Sequence, residues 1–73
     1  MNNPEKENKF NQRLKSLREY FNLTQKQLGS IVGYIQSAIA RLERAQRQPD
    51  IDILIKFARY FDVSIDYLVG IID

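Results

Sequence analysis

The sequence predicts an all-α domain, a compact bundle of five short helices that includes a helix-turn-helix pair. Three observations carry that expectation. Apolar residues recur at three- and four-residue spacing, strand-like alternation is missing, and Gly33 breaks the pattern between two segments of helix length. With 73 residues there is room for one domain, and 44% hydrophobic content gives it a sufficient core.

Residues 1–8 are expected to form a flexible N-terminal tail and residues 9–73 the folded domain, because no apolar periodicity begins before Phe10. Phe10, Leu14, Leu17 and Phe21 then repeat on one face, which predicts a first helix over about 8–21. Asn22 suits a left-handed exit. Thr24 with Gln27 three residues later forms a capping box that starts a second helix over about 25–32, with Leu28, Ile31 and Val32 on its apolar face. Gly33 ends that helix, since the residue past the last turn often needs positive φ. Ile35, Ile39 and Leu42 share the inner face of a third helix over about 36–44, and Gln36, Ser37, Ala40, Arg41 and Arg44 share the opposite face.

A polar loop from Ala45 ends in Pro49, which biases Gln48 away from helical geometry. Asp50 caps a fourth helix whose Ile53, Leu54, Phe57, Ala58 and Phe61 make the widest apolar stripe of the chain. Asp62 and Val63 turn, Ser64 caps a short fifth helix with Ile65 and Leu68 directed inward, and Gly70 closes it.

Composition excludes several functions. Without cysteine or histidine the chain has no disulfide, no nucleophilic thiol and no usual transition-metal ligand. Its three glycines, at 29, 33 and 70, make no phosphate-cradling loop, and Asp50 and Asp52 read as helix-start charges. An enzyme is therefore not expected, and neither a cofactor nor a metal. No apolar run reaches the length of a membrane span, and the polar start lacks a secretory h-region, so a soluble cytoplasmic protein is expected. The net charge of +2 hides a polarity: nine basic against four acidic residues over 1–49, then two basic against five acidic over 50–73. The basic end suits a polyanion.

Taken together, Leu17, Arg18, Leu23, Thr24, Gln25, Leu28, Gly33, Ile39, Glu43, Arg47, Pro49, Leu54, Ala58, Val63, Ser64, Asp66, Leu68 and Gly70 fit one pattern, which covers about residues 13–70. That pattern resembles the Cro/CI-type phage-repressor family, the xenobiotic-response-element class. The resemblance implies a lambda-repressor-like DNA-binding domain that regulates transcription, as a repressor in the first instance, by binding double-stranded DNA as a homodimer.

In proteins with this unit the second helix of the pair enters the major groove and its N-terminal residues meet base edges. Gln36, Ser37, Ala40 and Arg41 are therefore the base-reading candidates. A glutamine amide matches adenine N6 and N7, an arginine matches guanine O6 and N7, and an alanine suits a thymine methyl. Gln25 opens the second helix, where free backbone N–H groups favour a phosphate, and the resemblance implies that its side chain contacts the DNA backbone. Lys26, Tyr34, Arg44 and Arg47 are further phosphate candidates. The resemblance also implies that Arg18 and Glu43 form an ion pair that orients the reading helix.

Three positions depart from the family pattern. Ile35 stands where a polar N-cap is usual, Tyr34 replaces a smaller aliphatic residue, and Ala45 replaces the glycine after the third helix. Either Ala45 takes a penalised left-handed conformation or the helix runs on through Gln46. These departures motivate the alternative: an antitoxin-like module, or a regulator bound by an antirepressor or other protein partner, that keeps the fold with weak or non-specific DNA binding. Val69, Ile71 and Ile72 supply either a dimer patch or a C-terminal strap on the core. Were the chain complete, control would come from abundance, dimerisation or a partner.

Overall fold

Phe10, Leu14, Leu28, Val32, Ile39, Leu42, Ile53, Phe57, Phe61 and Leu68 meet in one buried cluster, and between them they come from five helices. The computed structural model describes residues 8–73. The helices are α1 (Phe10–Tyr20), α2 (Gln25–Val32), α3 (Gln36–Glu43), α4 (Ile51–Phe61) and α5 (Ile65–Val69), with no strand among the described residues. Phe57 lies at the centre, fully buried, its ring 6.0 Å from that of Phe10 and 6.3 Å from that of Phe61. No helix among the described residues is long and apolar enough to cross a membrane.

Local chemistry fixes where each helix starts and stops. The Thr24 hydroxyl accepts from the Gln27 amide at 3.0 Å while the Gln27 side chain accepts from the Thr24 amide at 2.8 Å, completing the capping box. Asp50 and Ser64 accept in the same way from the amides of Ile53 and Tyr67. Gly33 and Gly70 leave α2 and α5 with φ of +83° and +90°. Asn22 and Asp62 do the same for α1 and α4 at φ of +58° and +57°. Both side chains tolerate the left-handed region better than most.

Ala45 takes the strained branch of the two expectations. Its φ is +59°, and the amides of Ala45 and Gln46 donate back to the carbonyls of Leu42 and Arg41 at 3.2 and 2.9 Å. This is a Schellman exit built on a residue whose Cβ opposes it. Ala45→Gly is therefore expected to raise the stability by about 1 kcal/mol, a gain of about 4–8 °C in melting temperature for a domain of this size. A thermal melt of the two proteins checks it; an unchanged midpoint would mean that the exit carries no strain.

The ends of the fold are tied together. Residues 1–7, most of the expected tail, lie outside the described residues. Asn8 itself is engaged: its side chain accepts from the Phe10 amide and donates to Gln48. Lys9 then donates its amide to the Val69 carbonyl at 3.1 Å. Arg13 holds the other end, donating to the carbonyls of Tyr67 and Ile72 at 3.0 and 3.2 Å with its guanidinium 4.2 Å over the Tyr67 ring.

Some inner-face assignments are corrected. Ile31, Ile35 and Ile65 are 44%, 73% and 39% exposed. At about 100° per residue, the buried arc of α2 is centred between Leu28, Val32 and Gly29, and Ile31 falls on its rim. Ile35 precedes the first turn of α3, too early to share the inner face of Ile39 and Leu42. The first helix is shorter than expected at both ends, and α3 stops one residue earlier, with Arg44 as its C-cap.

Candidate nucleic-acid interface

The helix pair α2–α3 turns through a very close contact. A Cβ placed on Gly29 would lie 2.3 Å from the carbonyl oxygen of Tyr34, and the Tyr34 amide donates to the Gly29 carbonyl at 2.8 Å. Only the hydrogen of a glycine fits between these two backbones. The contact fixes how α3 departs from α2.

Around α3 the covered arc runs from Ala38 through Leu42, Ile39 and Glu43 to Ala40, and all five are buried. Ser37, Arg41 and Arg44 point outward from the remaining side and are exposed. Gln36 is exposed in the first turn. Ala40 does not join them: it is 5% exposed, so its methyl is not available to a base. The apolar stripe of α3 is wider than the spacing of Ile39 and Leu42 implied, because helices α1 and α2 cover it from both flanks.

A continuous polar chain runs beneath the outward face. Arg18 donates from Nε to Glu43 Oε2 at 2.6 Å and from Nη2 to Oε1 at 3.1 Å, a bidentate pair joining α1 to α3. Its Nη1 donates to the Leu23 carbonyl at 2.7 Å. The two side chains are 12% and 3% exposed. The hydrogen bond to Glu43 raises the Arg18 pKa above its ordinary value, against the opposing effect of burial.

Glu43 Oε1 also accepts from Gln25 Nε2 at 3.0 Å, and Gln25 Oε1 accepts from Gln36 Nε2 at 2.8 Å. The direction of this chain is forced. An ionised carboxylate only accepts, so Gln25 must offer its NH2 to Glu43, which leaves its oxygen for Gln36. Gln36 thereby spends one N–H and keeps its oxygen and second N–H outward, a donor beside an acceptor.

The start of α2 adds an anion-binding element. The capping box uses the amides of Thr24 and Gln27, and those of Gln25 and Lys26 have no partner among the described residues. Such free amides at the positive end of a helix attract a phosphate oxygen. Exposed Lys26, Arg44 and Arg47 bring cationic side chains to α2, α3 and the loop that follows. Arg47 lies with its guanidinium 5.4 Å over the ring of half-buried Tyr34. Tyr34 thus serves first as a packing residue against the core and a platform for Arg47.

The structure brings together Arg18, Glu43, Gln25 and Gln36 as one bonded unit, and Tyr34 with Arg47 as another. Sequence reasoning found the members and missed the bonds from Gln25. Those bonds link residues 18 and 11 positions apart on different helices, where no periodicity could pair them. No group of acidic side chains able to hold a metal occurs among the described residues.

Comparison with known proteins gives a consistent result. A helix-turn-helix family model matches residues 14–68. The HTH-type transcriptional regulator YobD of Bacillus subtilis, itself uncharacterized, is 39% identical over 62 residues, which cover 85% of this chain and 55% of YobD. The chain spans about half the length of the Bacillus subtilis relatives it matches. Among solved structures, a transcriptional regulator from Listeria innocua superposes with a TM-score of 0.85 at 30% identity, covering 92% of this chain and 63% of that one. The P22 c2 repressor in complex with a synthetic operator superposes with a TM-score of 0.77 at 28% identity, covering 82% and 91%.

Proposed function

Since the chain belongs to the helix-turn-helix family of Cro/CI-type transcriptional regulators, we propose that it reads a specific double-stranded DNA sequence in the cytoplasm, as a repressor and as a homodimer. The observation that carries this reading is the outward side of α3, where Ser37, Arg41 and Arg44 are exposed and Gln36 is held in place by Gln25. A side chain whose rotamer is already fixed loses less entropy on contacting a base. Gln36 takes adenine through its free oxygen and N–H, Arg41 takes guanine, and Ser37 accepts either kind of edge.

The phosphate contacts come from the start of α2, from Gln25 and Lys26, and from Arg44 and Arg47, with Tyr34 steadying Arg47. One domain of this size reads a half-site, so two copies related by a two-fold axis place their reading helices about 34 Å apart, one duplex turn. Exposed Ile71 and Ile72 are the candidate contact between copies.

Selection of binding sites from a random duplex pool at fixed salt tests this directly. A motif with two half-sites one turn apart is expected to be enriched. If no sequence were enriched and binding vanished at moderate salt, a protein-interaction role would replace this one. Two substitutions separate the roles. Gln36→Ala is expected to relax preference at one base pair, losing about 1–3 kcal/mol of discrimination there, with non-specific affinity nearly unchanged. Arg44→Ala is expected to weaken all duplexes about equally and to reduce the log-log salt slope by about one.

A further inference from the structure

Resting on the DNA-reading function above, we propose that Ile35 is an additional specificity-determining residue, which reads the C5-methyl group of a pyrimidine in the major groove. Three observations converge on it. Ile35 occupies the N-cap of α3, directly before Gln36, at the end of the helix that meets base edges. Its side chain is 73% exposed and takes no part in the core. It also makes no cap hydrogen bond, so α3 is the only helix of the pair that begins without one.

A single exposed isoleucine is ordinary, and its position is what distinguishes this one. Serine, threonine, aspartate or asparagine at an N-cap would satisfy an orphan amide and stabilise the helix. An isoleucine there forgoes the cap and leaves apolar surface in water, two local losses at one residue. Such a departure from local preference is expected where a residue serves a site rather than the fold.

The chemistry that would recover the second loss, the exposed apolar surface, is an apolar group in the groove floor. Among the four standard bases the only such group on a major-groove edge is the C5-methyl of thymine, and 5-methylcytosine carries a methyl at the same ring position. Ala40, which the sequence nominated for this contact, is buried. Ile35 thus supplies the apolar element beside the polar reader Gln36.

The test titrates the wild-type protein, Ile35→Ala and Ile35→Val against the duplex enriched in the selection. Variants of that duplex replace each thymine by deoxyuracil, or each cytosine by 5-methylcytosine, one position at a time. The expected result is one position where the methyl strengthens wild-type binding about fourfold. Ile35→Ala binds the methylated and unmethylated duplexes equally there, and Ile35→Val keeps most of the wild-type sensitivity. A thymine-to-uracil effect assigns thymine, and a gain on methylating cytosine assigns 5-methylcytosine.

Because the side chain is largely exposed, Ile35→Ala should melt as the wild type does, and any loss of binding then reports the contact. The proposal is overturned if Ile35→Ala binds the selected duplex and responds to every methyl as the wild type does. Failure of the wild type to select any duplex is a different result, which removes the DNA-reading function and this inference with it.

Discussion

Arg18→Ala is expected to lower the unfolding free energy by about 3 kcal/mol, a large share of the roughly 4–10 kcal/mol that holds a domain of this size. The loss has little to do with attraction between two charges as such. Glu43 is 3% exposed, and without Arg18 its carboxylate would remain inside the protein with only Gln25 as donor. The Leu23 carbonyl would lose its donor as well. An orphaned buried charge is what makes removal of one partner severe.

Two further measurements distinguish this account from a surface ion pair. The destabilisation should persist at high salt, because a buried pair is poorly screened. Replacing both partners by apolar residues, as Arg18→Met with Glu43→Leu, should restore most of the lost stability. DNA binding should not return in that double variant, since Gln25 and then Gln36 would lose the anchor that sets their rotamers. Chemical denaturation gives the first two results and duplex titration the third. A loss under about 1 kcal/mol for Arg18→Ala would show that the pair is effectively solvated.

Gly29→Val should be about as damaging, by about 3 kcal/mol, through backbone rather than charge. Even one Cβ at this position would sit 2.3 Å from the Tyr34 oxygen, far inside contact distance. Valine adds two methyls that cannot turn away in a helix. The α2–α3 turn must open, which breaks the Tyr34 to Gly29 hydrogen bond and shifts α3 relative to α2. Ser30→Val, one residue along on the exposed side, is the control and should change stability by under about 0.5 kcal/mol. Equal melting curves for the two valine variants would refute the close approach.

What could be read from the sequence follows the range of the forces involved. Capping and exit chemistry acts within four residues. Thr24 with Gln27, Asp50, Ser64, Gly33 and Gly70 therefore marked helix ends that the structure reproduces. The arcs buried by α2 and α3 depend on which neighbours flank them. Spacing alone assigned Ile31 inward and Ala40 outward, and both were reversed. The Arg18–Glu43 pair was legible only through resemblance, since nothing in the local sequence relates two residues 25 positions apart. Gln25 illustrates the same limit: its place at the start of α2 was plain, and its role as the joint between Glu43 and Gln36 needed three helices in place.

The hydrogen bond from Lys9 to Val69 brings the beginning and the end of the fold to one corner of the molecule. The backbone therefore traces a nearly closed circuit, and a short bridge from Gly70 back to Asn8 would span little distance. Cyclising the chain in this way would restrict the denatured ensemble, at the cost of the native hydrogen bonds from Arg13 to the Ile72 carbonyl and from the Ile71 amide to Asp66. It also means that any polypeptide fused before Lys9 and any fused after Val69 would emerge side by side.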